Sequence, residues 1–273
     1  MNTPNLKTNI KNELNSTLLS LNKNKLKNKI LEKTNLILFD KFGTTDFENK
    51  SNNLFIDEIG LDSRRKILDG KIKISKDIKK YVKYLNNINK DFIKSVKIGN
   101  IKNINTLIKI GANIHADYDY ALRWSSRNGC IKVVKFLIEK GANIHAKDDY
   151  ALRWSSRNGY IKVVKFLIEN GANIHVDDDS ALRWSSRYGH IEVVKFLIEN
   201  GANIHVRNDS ALRCSSENGH IKVVKYLVEN GADVHIDNDY PLRYASQDGH
   251  INVVKFLIEN GANIHANDEY ALR

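Results

Sequence analysis

Residues 189–204 read Gly-His-Ile-Glu-Val-Val-Lys-Phe-Leu-Ile-Glu-Asn-Gly-Ala-Asn-Ile. The stretch returns along the chain with small changes. Gly-Ala-Asn or Gly-Ala-Asp begins at Gly111, Gly141, Gly171, Gly201, Gly231 and Gly261, each 30 residues after the last. A second series, Gly99, Gly129, Gly159, Gly189, Gly219 and Gly249, keeps the same period. Such a period marks a stack of supersecondary units, none of which can bury its apolar face alone.

The segment after each second-series glycine predicts a short, mostly buried helix. In residues 131–140, Lys132, Lys135 and Glu139 form one polar stripe. Ile131, Val133, Val134, Leu137 and Ile138 cover most of the remaining circumference, with Phe136 half exposed beside the stripe. Gly141 can then take the left-handed conformation of a helix C-cap. Another short helix precedes the glycine turn, as in Asp149-Tyr150-Ala151-Leu152-Arg153-Trp154-Ser155-Ser156-Arg157-Asn158. An acid recurs at its start: Asp119, Asp149, Asp179, Asp209, Asp239 and Glu269. A carboxylate there can accept a free backbone N–H and meets the positive end of the helix dipole. Serine pairs at 125/126, 155/156, 185/186 and 215/216 are small enough for neighbouring helices to approach closely. Each unit therefore reads helix, glycine turn, helix, glycine, short connector.

These elements resemble the ankyrin repeat. Residues 189–204 are similar to its second half, and Tyr240-Pro241-Leu242-Arg243 stands where the family has Thr-Pro-Leu-His. In the other units that tetrapeptide reads Tyr/Ser-Ala-Leu-Arg. The resemblance covers residues 91–273 and implies an all-α solenoid of six helical hairpins, starting near 91, 121, 151, 181, 211 and 241. The family period is about 33 residues. Both helices here are full length, so the shortening falls in connectors such as Ala146-Lys147-Asp148. They leave little room for the family's β-hairpin finger, and few or no strand residues are expected. The Lys/Asn/Ile-rich texture and the 30-residue period also resemble the ankyrin arrays encoded by giant DNA viruses.

The two ends read differently. Residues 91–110 keep the frame in degenerate form through Phe92, Val96, Gly99, Ile101, Leu107 and Ile108. Residues 271–273 open a truncated last repeat with no polar cap after it. The pair 241–260 is therefore expected to expose an apolar flank, as in an array cut short or an end that meets a partner. Residues 1–90 form a basic N-terminal segment, partly ordered and partly helical. It holds 19 Lys and Arg against 10 Asp and Glu, and 32 of its 90 residues are Lys or Asn. Leu14, Leu18 and Leu21 suggest one helix, and Ile78, Tyr81, Val82 and Leu85 another after Ser75. Ile72 and Ile74 alternate as in a short strand.

Composition narrows the function classes. A hydrophobic fraction of 41% and a charged fraction of 27% fit a folded chain. No run of 18 apolar residues offers a membrane span, and the N-terminus lacks the order of a signal peptide. Two cysteines fit a reducing compartment, and the expected location is intracellular, in the (host) cytoplasm. Neither phosphate loop nor nucleophile elbow is present. One histidine per connector (115, 145, 175, 205, 235, 265) puts successive rings about 10 Å apart, too far to share a metal bound at ~2 Å. Asp177-Asp178-Asp179 lacks the glycine of a calcium loop, so capping and pairing with arginine are expected. No catalytic residue, metal, cofactor or small-molecule substrate is expected.

Arg123, Arg153, Arg183, Arg213, Arg243 and Arg273 replace the family's histidine. They are expected to fork onto an acid or carbonyl of the next unit. The resemblance implies protein–protein binding by a monomeric module whose first helices line a concave surface, with a host protein as partner. Trp, Tyr and Arg are the residue types of binding hot spots. The candidate partner-binding residues on those helices are Tyr120, Trp124, Arg127, Tyr150, Trp154, Arg157, Trp184, Arg187 and Tyr188. Two alternatives stand beside this reading: nucleic-acid or anionic-surface binding through residues 1–90, and a drifting duplicate with no present role.

Overall fold

A computed structural model describes residues 76–266, with side chains from residue 86 onward. The readings at Leu14, Leu18, Leu21, Ile72 and Ile74, at Glu269, and at 271–273 lie outside the described residues. The chain divides into two units, Met1–Ile88 and Asn89–Arg273. In the first, the described backbone is the opening part of a helix that begins directly after Ser75.

Twelve helices follow one another among the described residues, with no strand between them. They pair as α1 (Lys76–Ile98) with α2 (Ile101–Lys109), α3 (Ala116–Arg127) with α4 (Ile131–Glu139), and α5 (Ala146–Arg157) with α6 (Ile161–Glu169). The series continues with α7 (Val176–Arg187) and α8 (Ile191–Glu199), α9 (Val206–Glu217) and α10 (Ile221–Glu229), and α11 (Ile236–Gln247) and α12 (Ile251–Glu259). Six hairpins are present, as the periodicity requires. The first differs in length: α1 has 23 residues against 12 in each later first helix, so it starts well before residue 91.

The core is a column of leucines. Leu122, Leu137, Leu152, Leu167, Leu182, Leu197, Leu212, Leu227, Leu242 and Leu257 are fully buried, one from each helix of five hairpins. Phe92, also fully buried, takes the corresponding place in α1. Each buried leucine contributes roughly 1.5–3 kcal/mol by removal from water. Val133 and Val134 of α4, and their equivalents, close the other side, while Phe136 stays half exposed. The first helices bury Ala121, Leu122, Ser125 and Ser126, and the same positions in α5, α7 and α9. These short side chains let first helices pack on one another far more extensively than second helices do.

Each second helix ends in a Schellman turn. Gly141 (φ 90°) donates its N–H to Ile138 O, and Ala142 donates to Leu137 O. Past that cap the chain does something the sequence reading did not anticipate. Asp117, Tyr118 and Asp119 all have φ near +50°, as do the equivalent triplets at 147–149, 177–179, 207–209 and 237–239. The span of each of these first helices thus opens with a single left-handed turn, and the right-handed helix runs on from it. Left-handed backbone costs ordinary residues ~1–2 kcal/mol each, and Asp and Asn tolerate it best. Twelve of the 15 residues concerned are Asp or Asn.

This turn changes the role of the recurring arginine. Arg153 donates through Nε to Asp148 O (2.7 Å) and through Nη2 to Lys147 O (2.9 Å). Arg123, Arg183, Arg213 and Arg243 repeat the fork on their own connectors. The expectation of a fork onto the next unit is corrected: the guanidinium first satisfies the carbonyls of its own left-handed turn. A weaker reach to the next connector remains, in Arg153–Asp177 (3.9 Å) and Arg213–Asp237 (3.1 Å).

The link between units is carried instead by the acid that closes each left-handed triplet. Asp119 accepts the backbone N–H of Asn143, 24 residues on, at 2.8 Å. Asp149, Asp179, Asp209 and Asp239 do the same at 2.7–3.2 Å. Asn89 supplies the equivalent acceptor for Asn113 N–H. Each carboxylate also receives Nδ1–H of the histidine four residues earlier, at 2.8–3.1 Å. The five aspartates are only 2–5% exposed, so these bonds compensate desolvated charges. The acids are inter-unit rungs, where capping of their own helix was expected.

Candidate functional site

The first helices project one side chain from each of three rows onto their free face. In α5 these are Tyr150, Trp154 and Arg157, at spacings of four and three residues, which a helix places on one side. The buried Leu152 and Ser155 fix the opposite side in the core. The later first helices repeat that division, except that Ser180 of α7 is fully buried in the place of Tyr150, and the rows run along the stack.

Neighbouring rows touch. Arg127 lies over the ring of Trp154 at 4.3 Å, and Arg157 lies over the same ring at 4.5 Å. Arg157 also sits 5.5 Å from Trp184 and 5.0 Å from Tyr188, and donates from Nη2 to Tyr188 Oη at 2.8 Å. Arg187 faces Trp184 at 6.0 Å. Tyr150 stacks on Trp154 and Trp184 on Tyr188. Arg123 bridges Tyr120 and Tyr150, and Lys97 approaches Tyr120. The structure thus joins eight of the nine candidates into one continuous ladder from Tyr120 to Tyr188. Trp124 is half-buried on the same helix as Tyr120. Arg127, Arg187 and Tyr188 are exposed, and the remaining rings and Arg157 are half-buried.

The ladder stops in the next unit. Ser210, Cys214 and Glu217 occupy the places of Tyr, Trp and Arg. Rings return in α11, where Tyr240 and Tyr244 stack 3.9 Å apart beside Arg243. Burial, with Glu217 nearby, pushes the Tyr240 hydroxyl up to about 12, so it stays protonated at any physiological pH.

A third set of contacts lies between units at the glycine turns, where sequence places His190, His220 and His250 and implies structural hydrogen bonding for them. His190 donates Nε2–H to Arg157 O at 2.9 Å, and its ring covers Gly159. A Cβ on Gly159 would lie 2.5 Å from that ring, and the residue has φ +74°, so glycine is required twice over. His220 and His250 repeat the arrangement over Gly189 and Gly219. Tyr160 covers Gly129 instead, and there Asn158 Nδ2 donates to Arg127 O at 2.7 Å. The signal lay in the residue after each glycine, which is His, His, His or Tyr where it has this work. Burial holds the His190 imidazole below its usual range, outweighing its bond to Arg157 O.

The second helices present a different surface. Lys135 lies over Phe166, Lys165 over Phe196, Lys195 over Tyr226 and Lys225 over Phe256, at 5.2–5.6 Å. A shallow groove of ≈ 370 Å³ between α4 and α6 is lined by Lys132, Lys135, Lys162, Lys165, Ile131, Phe166 and Glu169. Among the described residues, no three His, Cys, Asp or Glu side chains gather as a metal cluster. Cys130 and Cys214 are free thiols, and burial raises Cys130. No described helix is long and apolar enough to cross a membrane.

A comparison with curated proteins finds no match. The family model "Ankyrin repeats (3 copies)" matches residues 82–178, 147–208 and 182–268, which together span well over half of the chain. Those stretches contain the paired helices, the Schellman turns and the inter-unit rungs described above, and the chain belongs to the ankyrin-repeat family.

Proposed function

We propose that this chain is a non-catalytic module that binds a protein partner on the face formed by its first helices. Ankyrin repeats are in general protein–protein interaction modules. The observation that carries the assignment to this face is the continuous ladder of Arg127, Trp154, Arg157, Trp184 and Tyr188. Fixing guanidiniums against rings reduces the side-chain entropy that binding must overcome. The Lys/Asn/Ile-rich texture and the 30-residue period further support an origin among giant DNA viruses, with a host protein as partner and the host cytoplasm as location. Residues 1–90 are proposed as a separate basic segment preceding the array.

The test is affinity capture from host-cell lysate by the full chain, compared with Trp154→Ala plus Tyr188→Ala and with Lys132→Glu plus Lys162→Glu. Retention that is insensitive to nuclease, lost in the first variant and kept in the second, supports the reading. Retention abolished by nuclease in every case would assign the function to the basic segment, the alternative favoured by its charge excess.

A further inference from the structure

We propose that the first-helix face recognises an acidic peptide segment, with successive carboxylates held by Arg127, Arg157 and Arg187. This names the partner chemistry of the binding face and rests on that reading. Two arginine rows leave α3, α5 and α7, four residues apart, and they have opposite fates. Arg123, Arg153 and Arg183 spend their forks on their own connectors. Arg127, Arg157 and Arg187 have no carboxylate within ion-pair distance among the described residues. Three cations in a row, one per unit, repel one another and remain without a carboxylate partner among the described residues.

Their orientation is set in advance. Rings lie 4.3–6.0 Å from the three guanidinium carbons, and Arg157 is approached by three of them. A guanidinium held against a ring keeps its in-plane N–H edge for a planar acceptor, and carboxylate matches that fork bidentately. Lysine, a point charge, would not.

Spacing and extent restrict the ligand further. Packed helices stand about 8–10 Å apart, and three residues in a polyproline II conformation span about 9 Å and return the side chain to the same side, so a carboxylate at every third position meets successive units. Beyond Arg187, Glu217 reverses the charge and Cys214 removes the ring, which ends the acidic stretch after three units. Nucleic acid fits less well. Bases need uncovered aromatic faces to stack on, and Trp154 and Trp184 already carry the chain's own guanidiniums.

The probe is a fluorescein-labelled decapeptide with Glu at every third position and Gly or Ser between, read by anisotropy against the full chain. The same peptide with Gln in place of Glu, and an oligothymidylate of equal charge, are the comparisons. The expected result is binding of the Glu peptide about tenfold tighter than either comparison, lost about tenfold in Arg157→Lys and further in Arg127→Gln/Arg157→Gln/Arg187→Gln. No binding of the Glu peptide, equal binding of its Gln form, or indifference to Arg157→Lys would overturn the proposal. So would tighter binding of the oligothymidylate that disappears in the triple variant. If a captured partner is lost in Trp154→Ala plus Tyr188→Ala but retained by the triple variant, the binding face stands and the acidic-segment proposal falls.

Discussion

The unit built on α7 and the unit built on α9 share one interior and differ on one surface. Both bury Leu, two Ser and an Asp in the same places, and both send that Asp's carboxylate to the backbone N–H 24 residues on. Their outward rows diverge: Trp184, Arg187 and Tyr188 against Cys214, Glu217 and Asn218. The backbone does not register the change. Residues that specify the stack and residues that meet the outside are therefore physically separable in this chain, and the second kind varies while the first does not.

The comparison would break most visibly in the interior. Leu182→Ala and Leu212→Ala should each cost about 3 kcal/mol in urea unfolding, and should agree within about 0.5 kcal/mol because the two layers are equivalent. A gap of more than ~1.5 kcal/mol between them would show that the layers are not equivalent. Next in size, Asp179→Ala and Asp209→Ala should each cost about 2 kcal/mol. Each strands the backbone N–H of the following unit and the Nδ1–H of its own histidine. A neutral result at either position would remove the rung from the account of stability.

The surface difference can be erased by design. Cys214→Trp with Glu217→Arg extends the ladder into the fifth hairpin, on α9. Stability should move by no more than about 0.5 kcal/mol, as for surface changes generally. Affinity for the acidic decapeptide, or for a captured partner, should rise severalfold. A loss of affinity would mean that the break in the ladder is itself part of the binding surface.

The smallest effect concerns pH and compares two glycine turns. The folded state holds His190 below its ordinary value of 6.5, so the unfolded chain takes up its proton first as pH falls. Stability from this site is complete above pH 6.5 and declines as pH drops from there towards the lowered folded value. His190→Tyr copies the turn at Tyr160 and removes the imidazole. Thermal midpoints of the two proteins should run parallel above pH 6.5 and diverge below it, with the wild type losing more. Parallel curves throughout would deny His190 a role.

The last hairpin shows what a following unit contributes. Ile251 of α12 is 64% exposed, and Ile258 is exposed as well, whereas Ile221 and Val228 of α10 are partly covered by the next second helix. In the same hairpin Ser246 is half-buried and bonds Leu242 O, while Ser216 of the preceding first helix is fully buried with its hydroxyl unsatisfied. Burial, and with it the cost of a polar atom, is assigned by the neighbour and not by the residue.

Much of this was legible in the residues. A leucine repeating every 15 positions, valine pairs and paired glycines dictate short helices and their caps, since burial pattern and left-handed turns are local properties. The ring and arginine rows were legible as a face because helical spacing alone places Tyr150, Trp154 and Arg157 together. Their mutual contacts were not, because Arg127 and Trp154 come from different units and meet only when these pack. Asp149 was misread as a cap for a similar reason. Its identity announces a hydrogen-bond acceptor, but its donor, Asn173 N–H, arrives from the next unit. Arg153 erred in the opposite direction: its partners proved local once the connector wound left-handed, a conformation its Asp and Asn content permits without announcing.

By itself the sequence determined the hairpin, its period and the division of each helix into a buried and an open side, because those follow from the order of apolar, polar and glycine residues along one chain. Only the tertiary structure decided which acid bonds which amide, which arginines are spent and which are left available, and which glycines lie under a histidine. Those outcomes depend on groups about 24–33 positions apart, brought within hydrogen-bonding or van der Waals distance solely by stacking one unit on the next.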